Sequence, residues 1–156
     1  MIHHNDTGIF QLGRLDHAKL KQGAGNVTDI FRPSKDGLSP NVQFHEFSKA
    51  ISENKWRLIG GPQESEAHLK INSEVKLYDT LLKSHSITTP ELNKNKVGIL
   101  YVFDGRATIL DEQYIETGTT IYFKQSLNIH TDTEAALVYF ELDTEAQFSR
   151  NGMSTQ

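Results

Sequence analysis

Apolar positions are distributed in two ways along the chain. Up to residue 55 every apolar run is broken by glycine or proline, at Gly13, Gly23, Gly25, Pro33, Gly37 and Pro40. Two ordered pieces are predicted there. Val27-Thr28-Asp29-Ile30-Phe31 reads as a short strand, and Phe44-His45-Glu46-Phe47-Ser48-Lys49-Ala50-Ile51, apolar at i, i+3 and i+7, as one or two turns of helix. Residues 1–55 are therefore read as an arm and linker that packs on a larger body. From Trp56 onward the pattern changes to strand-length apolar segments punctuated by turn residues.

These segments cover 56–59, 68–71, 75–82, 97–103, 106–110, 114–115, 119–123, 127–131 and 135–142. Gly60-Gly61-Pro62, Asn72-Ser73, Asp104-Gly105 and Asp111-Glu112 separate them, and Asp104-Gly105 predicts a hairpin because glycine tolerates positive φ. No helix-length amphipathic segment lies between strands. The spacing predicts an antiparallel sandwich or barrel over 56–143 rather than parallel βαβ units, with a polar tail over 144–156. Val97-Gly98-Ile99-Leu100-Tyr101-Val102-Phe103 and Ala135-Ala136-Leu137-Val138-Tyr139-Phe140 are apolar at both parities, so both faces of each strand need cover. One parity fills a barrel. The other, with Leu100, Val102, Val138 and Phe140 assigned to it, calls for the arm (Val27, Ile30, Phe31, Phe44, Phe47, Ile51) or a second subunit. A two-fold homodimer is the expectation.

The frame Tyr101-Val102-Phe103-Asp104-Gly105-Arg106-Ala107-Thr108-Ile109, followed by Ile115-Glu116-Thr117-Gly118-Thr119-Thr120-Ile121, resembles the cupin signature, in which two glycine turns punctuate successive strands. A longer order is more particular. It runs Trp56-Arg57-Leu58-Ile59-Gly60-Gly61-Pro62, Leu69-Lys70-Ile71-Asn72, Val75-Lys76-Leu77-Tyr78 and Leu137-Val138-Tyr139-Phe140-Glu141-Leu142. This is similar to the C-terminal cupin of pirin-like bicupins, the group often named for quercetinase activity. Ile30-Phe31-Arg32-Pro33-Ser34-Lys35-Asp36-Gly37-Leu38-Ser39-Pro40 is similar to the linker that precedes that half, so the resemblance covers about residues 27–143. It implies an all-β cupin (RmlC-like) double-stranded β-helix, a jelly-roll barrel with an N-terminal arm. It also implies a chain without the N-terminal cupin that carries the family's metal and active site.

A cupin metal site takes two histidines one residue apart, a glutamate before the first glycine turn and a third histidine on a later strand. Transferred to this chain, the glutamate position falls on Gly98 and the third histidine on Ile121. The histidine pair falls on Leu92 and Lys94, or on Glu91 and Asn93. No histidine occupies these positions, and no metal or other cofactor is expected. The seven histidines suggest no other centre. His3 and His4 lie at the terminus, His17, His45 and His68 in loops or at strand starts, His85 in a turn, and His130 on a polar face with Asn128 and Asp132. Tyr78, Tyr101 and Tyr122 lie on predicted strands, where hydroxyls can orient a small ligand inside a barrel; outward aromatic packing is the alternative.

Composition narrows the classes further. The 156 residues suit one domain, and the absence of cysteine removes disulfides, thiolate zinc sites and cysteine nucleophiles. A net charge of −4 provides no basic field for nucleic acid. The Met1-Ile2-His3-His4 start is unlike a signal segment and no transmembrane run occurs, so a cytoplasmic protein away from membranes is expected. The leading expectation is a metal-free module that binds a small ligand or another protein without catalysis. The alternatives are a quercetinase-type dioxygenase, a metal-free isomerase using tyrosine and histidine, and a fragment that needs a separate N-terminal cupin.

Overall fold

The computed structural model describes residues 2–3, 9–13, 26–30, 34, 42–43, 45, 47–109 and 113–146. The chain divides into two compact units, one of Met1–Glu46, Gly61–Glu74 and Glu145–Gln156, the other of Phe47–Gly60 and Val75–Thr144. Among the described residues the only helical turn is a four-residue 3-10 turn, Lys49–Ser52, where the i, i+3, i+7 pattern predicts a helix. Phe44 and Glu46 lie outside the described residues.

In the first unit β1 (Ile2–His3) pairs with β4 (Val42–Gln43), and β2 (Ile9–Gly13) with β3 (Asn26–Ile30), both antiparallel. The strand predicted over 27–31 is therefore β3. Phe31 falls outside the described residues, as do Gly23 to Gly25, Leu110 and the tail beyond Ala146. Of β5 (Arg57–Gly61) only Gly61 belongs to this unit, and β6 (Leu69–Lys70) follows. Gln43 stands in for a strand here: its Oε1 accepts Lys70 N–H and its Nε2 donates to Lys70 O, both at 2.7 Å.

The second unit contains most of the remaining strands, β7 (Val75–Leu82), β8 (Ser86–Thr88), β9 (Lys96–Asp104), β10 (Arg106–Ile109), β11 (Gln113–Glu116), β12 (Thr120–Phe123), β13 (Ile129–Thr131) and β14 (Ala135–Asp143). Its larger sheet runs β12-β9-β14-β7-β5 and its smaller one β11-β10-β13-β8, with antiparallel ladders. Period-2 burial orients both sheets. Leu100, Val102, Leu137, Tyr139 and Leu82 from the larger sheet meet Ala107, Ile109, Ile115 and Ile129 from the smaller in one buried cluster.

Asp104-Gly105 is not the turn of a paired hairpin. β9 and β10 belong to different sheets, and Gly105, at φ +89°, is the corner where the chain crosses between them. A Cβ there would come 2.5 Å from Glu134 O, so the close backbone approach and the positive φ both require glycine. Gly118, at φ +90°, lies in the second crossing, from β11 to β12. The two corners hold each other, since Thr117 N–H donates to Gly105 O and Gly105 N–H to Thr117 Oγ1, each at 3.0 Å.

The outer face of β14 is covered, with Val138 and Phe140 buried, while Ile99, Tyr101 and Phe103 on β9 are half-buried. Leu100 and Val102 belong to the inner parity, not the outer one predicted for them, because their register partners Tyr139 and Leu137 face the core cluster. Of the apolar residues expected to give cover, Ile51 is exposed, and Phe47 is half-buried beneath the Arg57 guanidinium, 4.8 Å away. Arg57 also forks onto the Asp79 carboxylate and donates to Ser48 O, anchoring this segment to the sheet.

Candidate functional site

In the larger sheet the ladders place Gly98, Leu100 and Val102 of β9 on the same face as Ile121 and Phe123 of β12. Leu137, Tyr139 and Glu141 of β14 and Lys76, Tyr78 and Thr80 of β7 share that face. Its middle is apolar. Its Glu141 end is polar and is closed by the segment 89–95. Glu141, 3% exposed, accepts Asn93 N–H at 2.9 Å and Asn93 Nδ2–H at 2.8 and 2.9 Å, with Lys76 Nζ 3.9 Å away. Tyr139 donates its hydroxyl to Glu91 O at 2.9 Å, and Thr89 Oγ1 donates to Asn128 Oδ1 at 3.0 Å. Strand β14 thus ties this segment across the end of the barrel.

Behind it lies an aromatic cluster. Tyr139 stacks on Tyr78 with centroids 4.6 Å apart, and Trp56 meets Tyr139 edge to face at 4.9 Å. Burial, then the Glu141 charge, raises the Tyr78 hydroxyl above the ordinary phenol value; burial raises Tyr139 further, with Tyr78 and Glu141 adding to it. Both phenols remain neutral at physiological pH, and both Glu141 oxygens are engaged. These groups can donate hydrogen bonds and hold the loop, but they do not form a general acid–base pair. The Trp56 indole N–H is enclosed without an acceptor among the described residues.

Of the three candidate tyrosines only Tyr78 faces the core. Tyr101 is half-buried and Tyr122 is 56% exposed, with Lys124 Nζ 5.8 Å above its ring. Neither lines the interior, because their parity is opposite to that of Leu100 and Phe123. Tyr139, Glu141, Asn93 and Trp56 were not among the residues predicted to form a site. A sequence signal existed for Glu141, a carboxylate at the parity of Leu137 and Tyr139 next to a run that is apolar on both faces.

The metal set implied by the cupin resemblance does not fit these residues. Gly98 carries no ligand atom, and a Cβ built on it would lie 2.1 Å from Phe123 Cζ. Ile121 and Leu92 pack against the core cluster, Lys94 is exposed, and Asn93 is committed to Glu141. Among the described residues no group of three His, Asp or Glu is placed to hold a metal ion. His85 and His130 flank Asp132 at 3.9 and 3.5 Å on the exposed surface, and the rings of His45 and His68 lie 4.3 Å apart. No helix among the described residues is long and apolar enough to cross a membrane.

A family model described as the quercetinase C-terminal cupin domain matches residues 58–142. None of the curated proteins matches. Among solved structures, YhhW from Escherichia coli superposes with a TM-score of 0.62 at 20% identity, over 75% of this chain and 48% of YhhW. Bacterial pirin YhhW from Escherichia coli in complex with nickel(II) gives 0.64 at 18% identity, over 91% of this chain and 68% of the other. The chain spans about half the length of the first of these, and the likeness extends to the fold.

Proposed function

Because the chain belongs to the family of quercetinase C-terminal cupin domains, yet lacks that fold's metal-binding side chains at the matching positions, we propose that it is a non-catalytic module that self-associates. The observation that carries this reading is Phe123, whose ring fills the space a carboxylate ligand at position 98 would need. The barrel interior is mostly apolar side chain, and the one buried carboxylate among the described residues, Glu141, is spent on a loop. On the outside, half-buried Ile99, Tyr101 and Phe103 and exposed Tyr122 share the outer face of β9 and β12, next to the covered face of β14. Such a face suits a two-fold contact.

Elemental analysis and flavonol turnover test the non-catalytic part. Purified protein is expected to hold no stoichiometric transition metal and to leave a flavonol unoxidised. One metal ion per chain, retained after His3→Ala and His4→Ala, or flavonol oxygenation above the uncatalysed rate, overturns it. A second reading, binding of a small ligand, is favoured by the Trp56 N–H, which next to the Tyr139 ring has no acceptor among the described residues. A thermal-shift screen with small oxyanions and polyols tests it, since a ligand that binds only the folded state raises Tm.

A further inference from the structure

Among the described residues strand β12 is the outermost strand of the larger sheet and is paired along one side, with β9. Alternation in an antiparallel ladder decides which of its backbone groups remain unused. Val102 N–H donates to Thr119 O at 3.0 Å, which fixes the position Thr119–Val102 as a bonded one. In the observed register Thr120–Tyr101 is then non-bonded, Ile121–Leu100 bonded and Tyr122–Ile99 non-bonded. The N–H and C=O groups of Thr120 and Tyr122 therefore point away from β9. Both side chains are exposed, and the four strand residues include no proline or charge of the kind that usually guards an edge; the glycine bulge that sets Gly118 and Thr119 together against Val102 lies just before them.

We propose that two copies of this chain join β12 to β12, antiparallel, about a two-fold axis at Ile121, so that Thr120 of each pairs with Tyr122 of the other. In this register the outward groups of both residues are all used. Thr120 N–H donates to Tyr122 O, Tyr122 N–H donates to Thr120 O, and the two-fold repeats both bonds. Centring the axis on Tyr122 instead would set Thr120 against Lys124, which lies beyond the strand. Charge agrees with the choice. Lys124 of one copy falls opposite Gly118 of the other, in the turn where Thr119 N–H returns to Glu116 O, so an exposed lysine stands across from the turn that exposed Glu116 opens at each end of the seam. Main-chain bonds supply the contact, and the side chains on the outer face set its register. The proposal rests on the self-association reading above and specifies its geometry.

The absence of cysteine makes the test clean, because an introduced thiol is the only one present. Opposed residues in a bonded antiparallel pair have Cα atoms about 5.5 Å apart, within disulfide reach, whereas like residues in this register lie about 8 Å apart, beyond it. Thr120→Cys and Tyr122→Cys proteins are therefore expected to form a covalent dimer on mild oxidation when mixed, and to stay uncrosslinked when oxidised separately. Independently, Glu116→Lys is expected to weaken the dimer about fivefold at low salt, with recovery in Glu116→Lys/Lys124→Glu. A dimer by light scattering that fails to crosslink in the mixture overturns the edge pairing and leaves self-association standing. An unmodified chain that is monomeric at micromolar concentration overturns both.

Discussion

Phe123 and Gly98 are register partners on β12 and β9, and the phenyl ring occupies the volume any side chain on residue 98 would take. A Cβ there would meet three ring carbons at 2.1, 2.4 and 2.6 Å. Because Phe123 is itself buried in the core cluster, the ring cannot swing clear without opening a void elsewhere. Gly98→Ala is therefore expected to cost about 1–3 kcal/mol, and Phe123→Leu in the same chain to recover part of that loss. Urea denaturation of the two single variants and the double variant measures the coupling.

Glu141 and Asn93 form the second coupled pair. Removing Asn93 strands the buried Glu141 carboxylate, so Asn93→Ala is expected to destabilise by about 2–3 kcal/mol, and Glu141→Ala, which returns an exposed Asn93 to water, by less. The double variant is expected to lose less than the sum. Amide hydrogen exchange supplies a readout specific to the clamp. Asn93 N–H, protected by its bond to Glu141, is expected to exchange faster in Glu141→Ala than in the unmodified protein.

The tyrosine pair predicts how stability falls at alkaline pH. Tyr78 and Tyr139 both have folded-state pKa values raised above the ordinary 10.0. A phenol raised in this way gives its full stabilisation below the unfolded value, about pH 10, and loses it as pH rises through the folded value. The unfolding free energy is therefore expected to decline above about pH 10, and less steeply in Tyr139→Phe. Absorbance titration of the phenolates should show a late phase coincident with unfolding that Tyr139→Phe diminishes; an identical profile for that variant counts against the assignment.

The long strands were legible because their apolar runs are bounded by turn residues: β7 lies on its predicted residues, and β9 and β14 extend theirs by a residue or two. The two glycine turns were legible as breaks but not as corners, because whether a chain doubles back or crosses to a second sheet depends on neighbours distant in sequence, such as Glu134 at Gly105. β8 was missed. Its three residues follow His85, whose φ of +59° reads as a turn, and Ile87 points outward, so the strand is defined by pairing with β13 rather than by an apolar pattern. The polar end of the barrel was missed for a similar reason. Asn93 and Glu141 are 48 residues apart, and side-chain pairs of that kind form only once the sheet register is set.

Sedimentation velocity over a range of protein concentrations, on the unmodified chain and on a Tyr101→Lys/Tyr122→Lys variant, tests the account most directly. A reversible dimer is expected for the unmodified chain at micromolar concentration, and a folded monomer for the variant, whose two lysines stand on the outer face that half-buried Tyr101 and exposed Tyr122 share. An unmodified chain that sediments as a monomer at every concentration, or a variant that dimerises as strongly as its parent, would contradict it.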